Sequence, residues 1–244
     1  IFLGFSSDFG EDYKEIMGKV IPEVPEVAVT GNIKSIIASR LAYYLDFHGP
    51  TLLVDTACSS GLVAMYQAVQ SIRNGHCSMA VVGAVNYVLI PIMREVGGKV
   101  GVVDIQRINS ADEHTRTFDD KCDGTMSAEG SFAFVLKSLD EALRDGDNIR
   151  AVILGGAVNQ DGASNGITAP NSKAQEELIV RALDDAGLSA EKVSYIEAHG
   201  TGTRLGDPIE IDGIQRAFRH FTKKKQYCAI GSLKSNIGHL NHAS

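Results

Sequence analysis

The sequence predicts a layered α/β protein, because apolar runs of strand length alternate along the chain with segments of helical periodicity. Residues 79–85 form a continuous apolar run without alternation, which is typical of a strand covered on both faces. Residues 175–186 place Leu178, Ile179, Ala182 and Leu183 on one helical face. These two patterns recur in order from one end of the chain to the other.

The elements follow one another without long interruptions. A helix is predicted over 32–47, with Asn32 as its cap and Gly49-Pro50 as its stop, and a strand over 52–56 follows it. A second helix begins after Cys58 and ends at Asn74-Gly75, and strand 79–85 completes a strand–helix–strand unit around a buried sheet. Further strands are predicted at 131–137, 151–158, 193–198 and 227–231, and further helices at 175–186 and 208–218.

Composition narrows the class of protein. The 244 residues are 44% apolar and 22% charged, enough to bury a large core, and no linker divides them, so we predict one domain over 1–244. The net charge of −7 argues against nucleic-acid and membrane-surface binding. The sequence has no run of the ~18 apolar residues that span a bilayer and no paired cysteine motif. We therefore predict a soluble, cytoplasmic protein with reduced thiols.

Cys58 is the first candidate nucleophile. It follows a predicted strand and directly precedes a predicted helix, whose unpaired N–H groups and partial positive charge favour a thiolate and lower a cysteine pKa below ~8.5. The alternative is that Cys58 is a small buried apolar residue, as many intracellular cysteines are.

Two histidines favour the catalytic interpretation. His199 and His239 each follow a strand-like run and stand among glycines. A cysteine together with two histidines in turns is a catalytic constellation. His239 and His242 are also three residues apart, but no further residue has metal-ligand spacing, so we predict no metal site.

Four sequence blocks resemble the signature blocks of β-ketoacyl synthases: DTACSS at 55–60, EAHGTGT at 197–203, GDPIE at 206–210 and KSNIGH at 234–239. The stretches NQDG at 159–162 and GITAPN at 166–171 further resemble ketosynthase domains of modular polyketide synthases. The resemblance implies the thiolase-like fold, with two similar halves in α/β/α/β/α layers. It also implies that this domain is truncated at both ends, and that a later glycine-rich loop supplies part of the oxyanion hole.

The resemblance also implies a decarboxylative Claisen condensation. Cys58 would accept an acyl group, His199 and His239 would stabilise the enolate of a malonyl-type thioester, and Lys234 would organise the histidine site. The domain would bind no cofactor of its own, because the acyl and malonyl thioesters arrive on the phosphopantetheine of an acyl carrier protein. Thr201 and Thr203 would bind the pantetheine amides or, alternatively, only hold the glycine turn. A homodimer is implied as well.

Several alternative functions stay open, and parts of the sequence depart from the family pattern. A fatty-acid ketosynthase, a non-elongating acyl-transfer domain and a silent dimer scaffold are the competing functions. Asp207 and Glu210 are predicted to be helix caps and structural ion-pair partners. Gly61 replaces a serine usual in the family, and residues 88–110 and 122–130 also depart from its pattern.

Overall fold

The computed structural model describes residues 1–5, 19–20, 30–31, 33–87, 93–96, 99–102, 108–164, 166 and 168–244. The chain forms two compact units. The first comprises Ile1–Ile105, Glu129–Ile149 and Leu240–Ser244, and the second comprises Gln106–Ala128 and Arg150–His239. A single domain over 1–244 stays a prediction. Within the described ranges, no helix is both long and apolar enough to cross a membrane.

Within the described residues, the first unit contains a 3-10 helix at Asn241–Ala243 and nine strands and α-helices. They are β1 (Phe2–Gly4), α1 (Lys34–Leu45), β2 (Leu52–Val54), α2 (Ser60–Arg73), β3 (Met79–Asn86), β4 (Met93–Val96), β5 (Lys99–Val102), β6 (Gly130–Lys137) and α3 (Leu139–Asp145). The sheet order is β2-β1-β3-β6, in which β1 is parallel to β2 and β3, and β6 is antiparallel to β3. Strands β4 and β5 form a separate antiparallel pair. The predicted strand–helix–strand unit is confirmed, with β1 lying between its two strands.

Helix α2 packs on this sheet through small residues. Ala64 and Ala68 join Phe2, Ala80 and Val82 in the buried core. Leu62, which helped to predict the helix, is 66% exposed. The apolar periodicity therefore predicted the helix correctly, but the face against the sheet is the one whose short side chains allow a close approach.

The start of α1 differs from the sequence prediction. The predicted cap, Asn32, lies outside the described residues, and the residue at the N-cap position is Ile33, which makes no side-chain cap hydrogen bond. The helix ends at Leu45, and Asp46 adopts the left-handed conformation at its C-cap.

The second unit contains α4 (Ser172–Ala186), β7 (Tyr195–Glu197), α5 (Gly206–Arg219), β8 (Ala229–Gly231) and α6 (Lys234–Ile237). Helices α4 and α5 pack together, and β7 runs parallel to β8. The Asn171 side chain caps α4 by accepting from the N–H groups of Lys173 and Ala174. The predicted helices and the strands at 193–198 and 227–231 are thus confirmed with shifted ends.

The strand predicted at 151–158 is wrong. These residues, all described, contain no strand, and Val152 and Leu154 are about half exposed. The N–H of Gly156 donates to the Asp185 carboxylate near the end of α4, at 2.9 Å. The apolar run gave a local strand preference, but a strand also needs a hydrogen-bonded neighbour, which sequence periodicity does not supply.

Candidate active site

Cys58 lies where the sequence predicts it, between the end of β2 at Val54 and the first residue of α2 at Ser60. Its side chain is half-buried. The N-cap residue of α2 is Ser59, so the thiol stands at the positive end of a 14-residue helix. This placement is the local condition for a thiolate nucleophile.

The turn that carries Cys58 is strained and tightly hydrogen-bonded. Ala57 has a φ of 52°, a left-handed conformation that is costly for a residue with a β-carbon. The fully buried Ser60 hydroxyl donates to the Ala57 carbonyl at 2.7 Å and accepts from the Thr56 N–H at 2.9 Å. The Ser59 hydroxyl donates to the Thr56 carbonyl at 2.8 Å. The two serines therefore hold the strained turn in place from its C-terminal side.

Gly61 is explained by an aromatic neighbour. A β-carbon at this position would lie 3.0 Å from Cζ of Phe132 and 3.3 Å from the His242 carbonyl. The Phe132 ring also packs against the core under α2. The space that a serine side chain would need in the first helical turn is thus filled by Phe132 in this protein.

His199 and His239 lie side by side in the second unit. Their ring centroids are 5.4 Å apart and the rings meet edge to face, at 85°. His239 is only 1% exposed. His199 keeps an exposed face, but desolvation by the surrounding atoms, followed by the positive charge of Lys234, lowers its pKa to about 4. His199 is therefore a neutral imidazole at physiological pH.

The turn after His199 is held by a carboxylate. Glu210, on α5, accepts from the N–H of His199 at 2.6 Å and from the N–H of Gly200 at 2.8 Å. The Gly200 carbonyl accepts from the Thr117 hydroxyl at 2.6 Å. Ser232 donates its hydroxyl to the His199 carbonyl at 3.3 Å. The backbone on both sides of the imidazole is thus fixed by residues distant in sequence.

Asp207 has a related role. Its buried carboxylate accepts from the N–H of Phe118 at 2.7 Å and from the N–H of Gly202 at 3.1 Å. The N-cap residue of α5 is Leu205, which makes no side-chain cap hydrogen bond. The predicted cap role of Asp207 and Glu210 is therefore wrong, because both carboxylates bind backbone N–H groups of loops instead.

Lys234 begins α6, and its ammonium group is close enough to His199 to lower the pKa of that imidazole. The preceding residue is also anchored, because the Leu233 N–H donates to Glu197 at 2.7 Å. Tyr195 donates its hydroxyl to the other oxygen of the same carboxylate at 2.6 Å. Strand β7 and the turn before Lys234 are thereby tied together.

Thr201 and Thr203 form part of the glycine turn. Their hydroxyl oxygens are 3.3 Å apart, and the Thr203 hydroxyl accepts from the Gly206 N–H at 3.1 Å. Both residues are half-buried. These bonds are the ones that a turn-holding role requires, and a pantetheine-binding role stays a prediction.

Sequence reasoning missed the residues that support the histidines. The sequence predicts helix caps and ion pairs for Glu210 and Asp207, whereas both carboxylates accept hydrogen bonds from loop N–H groups. It predicts no role for Thr117. A carboxylate in the first turns of a helix that follows a glycine turn is a signal that points to this role. Thr117 carries no comparable signal. Within the described ranges, no group of three or more His, Cys, Asp or Glu side chains could hold a metal ion.

Comparison with known proteins covers the whole chain. Residues 1–142 match the family model for the β-ketoacyl synthase N-terminal domain, and residues 150–244 match the one for the β-ketoacyl synthase C-terminal domain. Polyketide synthase PksL of Bacillus subtilis (strain 168) is 47% identical over 208 residues, which are 85% of this chain and 4% of that protein. Polyketide synthase GfsE of Streptomyces halstedii is 42% identical over 244 residues, 100% of this chain and 6% of that protein.

Solved structures agree with the sequence relatives. The ketosynthase from module 6 of the bacillaene synthase from Bacillus subtilis 168 has a TM-score of 0.84 at 38% identity, over 99% of this chain and 40% of that one. The oxazolomycin ketosynthase domain OzmH KS7 from Streptomyces albus JA3453 has a TM-score of 0.83 at 36% identity, over 99% of this chain and 41% of that one. The chain thus spans about two fifths of these solved chains and a far smaller part of the curated relatives. The predicted thiolase-like α/β fold is confirmed.

Proposed function

The chain belongs to the β-ketoacyl synthase family, and we propose that it joins a Cys58-bound acyl group to a malonyl-type extender by decarboxylative Claisen condensation in polyketide biosynthesis. The observation that carries the proposal is the pair of imidazoles at 5.4 Å, of which His199 is neutral at physiological pH. Neutral imidazoles donate hydrogen bonds without offering a proton that would quench a carbanion.

The first stage is acyl transfer. The Cys58 thiolate attacks the carbonyl carbon of an acyl thioester, a new C–S bond forms, and the C–S bond to the carrier breaks. The carrier leaves as a thiolate and takes up a proton from solvent. Three features support this role: the helix start, the strained Ala57 turn and the half-buried position of the thiol. The Cys58 N–H is the proposed donor to the tetrahedral oxyanion.

The second stage needs the histidines. The C–C bond to the malonyl carboxylate breaks, CO₂ leaves, and the electron pair passes to the thioester oxygen as an enolate. Hydrogen bonds from His199 and His239 stabilise that oxygen, and donors of this kind contribute roughly 10²–10³ in rate each. The enolate carbon then attacks the acyl carbon on Cys58. A C–C bond forms, the C–S bond breaks, and the Cys58 thiolate is regenerated.

The partners follow from the same chemistry. Both thioesters would arrive on the phosphopantetheine of an acyl carrier protein, with Thr201 and Thr203 binding the arm's amides. The domain itself would need no further cofactor. The polyketide assignment is supported by relatives named as polyketide synthases at 42% to 47% identity. A homodimer and a single domain over 1–244 complete the proposal.

The test separates the two stages. The protein that contains this sequence is incubated with acyl-pantetheine, its mass is measured, and malonyl-carrier is then added while product and CO₂ are followed. We expect one acyl group per chain, absent in Cys58→Ala, and condensation that is lost in His199→Ala and His239→Ala. Acyl loading of Cys58→Ala would show the nucleophile assignment to be wrong. Loading without condensation in the unaltered protein would favour a transfer-only domain.

A further inference from the structure

One loop of the second unit contacts both histidine turns. The Thr117 hydroxyl donates to the carbonyl of Gly200, next to His199, at 2.6 Å. The same hydroxyl accepts from the Ser235 hydroxyl at 3.0 Å, and Ser235 is the second residue of α6. Thr117 thereby joins the His199 turn to the short helix that leads to His239.

The same loop forms hydrogen bonds with the peptide groups on both sides of His239. The His239 N–H donates to the Met126 carbonyl at 2.6 Å, and the His239 carbonyl accepts from the Ala128 N–H at 2.9 Å. Gly238 has a φ of 77°, and a β-carbon there would lie 2.9 Å from the Met126 carbonyl oxygen. The approach of the two segments is therefore so close that only glycine fits at position 238.

Thr115 stabilises the loop segment that contacts His239. It is 7% exposed, and its hydroxyl accepts from the Met126 N–H at 2.8 Å. It also lies 3.3 Å from the hydroxyl of Thr125, which is 1% exposed. The bond to the Met126 N–H is partly buried, and a hydrogen bond of this kind contributes about 0.5–1.5 kcal/mol, so the Thr115 hydroxyl favours the observed path of residues 126–128.

We propose that Thr115 and Thr117 are positioning residues that hold the His239 and His199 turns at a fixed spacing, so that both imidazoles reach one enolate oxygen. This inference rests on the proposed function, which gives the two imidazoles a common oxyanion. Neither threonine touches a reacting atom. Each acts through neighbouring groups: Thr115 accepts from the Met126 N–H, and Thr117 donates to the Gly200 carbonyl and accepts from the Ser235 hydroxyl.

Loss of the Thr115 or Thr117 hydroxyl should affect only the second chemical stage. Misplacing a catalytic group by about 1 Å costs on the order of 10² in rate. Removing either hydroxyl should therefore slow decarboxylation and condensation, while the acyl transfer to Cys58, which does not use the histidines, continues.

The experiment compares Thr115→Val and Thr117→Val with Thr222→Val, all in the protein that contains this sequence. Thr222 is a matched control, because it is buried in the same unit and its hydroxyl also accepts a backbone N–H, from Lys224 at 3.1 Å. We expect kcat for decarboxylation of a malonyl thioester to fall by about 10–10² in the first two variants, with KM and the rate of Cys58 acylation unchanged. Thr115→Ser and Thr117→Ser, which retain the hydroxyl, should restore kcat.

A second measurement does not depend on turnover. The His199 ring is titrated by NMR in each variant, and Thr117→Val should raise its pKa from about 4 toward the ordinary value of 6.5, because a loosened turn admits water. Valine variants that match Thr222→Val in both kcat and His199 titration would overturn the positioning role. If instead the unaltered protein loads Cys58 but releases no CO₂, while the titration shifts as expected, the proposed function fails and the positioning of the histidine turns stands.

Discussion

The Cys58 turn and the histidine turns are held in place by different kinds of bonds. Around Cys58, the hydrogen bonds join residues three or four positions apart, such as Ser60 to Ala57 and Thr56. Around the histidines, several of the bonds cross long stretches of chain: Thr117 to Gly200 spans 83 residues, and Ser235 to Thr117 spans 118. A nucleophile at a helix start can thus be specified within one short segment, whereas two cooperating imidazoles need support from several segments.

This difference makes the two regions separable by mutation. A change at the Cys58 turn should alter acylation first, because the nucleophile acts in that stage. A change in the support of the histidines should alter decarboxylation and leave acylation in place. The predictions below test this separation, beginning with the largest expected effect.

Glu210→Ala should have the largest effect. It removes the acceptor of two backbone N–H groups, those of His199 and Gly200, and the turn should shift. We expect condensation to slow by about 10², with acylation of Cys58 retained. The control is Glu177→Ala, which removes a carboxylate that lies on the exposed surface, 3.9 Å from Lys173. Equal loss of acylation and condensation in Glu210→Ala would contradict the separation.

Ser60→Ala tests the cysteine side of the comparison. The Thr56 N–H loses the Ser60 hydroxyl as its acceptor and the Ala57 carbonyl loses its donor, at a cost of about 0.5–1.5 kcal/mol per hydrogen bond, so the strained turn is held less firmly. We expect acylation of Cys58 to slow about tenfold, as a loss of about 1.4 kcal/mol would produce. Acylation is measured by intact mass against time. Ser59→Ala should have the smaller effect on acylation, because the Ser59 hydroxyl that it removes is exposed and donates to a carbonyl. A larger effect of Ser59→Ala than of Ser60→Ala would show that Ser60 does not stabilise the turn.

Gly61→Ser examines why this chain departs from the family at that position. The new side chain would press on the Phe132 ring and the His242 carbonyl, at 3.0 Å and 3.3 Å from its β-carbon. We expect a loss of about 1–3 kcal/mol in the free energy of unfolding, measured with denaturant. Phe132→Leu should recover part of it in the double variant. Simple additivity of the two substitutions would mean that Gly61 and Phe132 are not coupled.

The smallest effect concerns pH. Because the pKa of His199 is lowered to about 4 in the folded protein, it stays neutral on going from pH 7 to pH 5.5, and its titration should not reduce decarboxylation in that range. Between pH 6.5 and 4 the unfolded chain binds a proton at this residue that the folded chain does not, so His199 lowers stability as the pH falls. NMR titration of the ring checks the value. A midpoint near 6.5 would contradict the desolvated environment.

Sequence reasoning found the candidate site through local patterns. Cys58 was visible because a strand, a thiol and a helix follow one another, and His199, His239 and Lys234 because their blocks resemble a known family. It did not find Thr115 and Thr117, and it assigned the wrong bonds to Asp207 and Glu210. A hydrogen bond between residues 83 positions apart leaves no periodic trace in the sequence.

The sequence by itself determined the α/β class, most of the helices and strands, and the thiol at a helix start, because propensity, periodicity and capping act over a few residues. Only the tertiary structure decided that 151–158 is not a strand, that α2 buries its small side chains, and that Phe132 takes the space beside Gly61. It also brought the two imidazoles to 5.4 Å and lowered the His199 pKa. Close packing, strand pairing and desolvation depend on which distant segments meet, and that is settled by the fold as a whole.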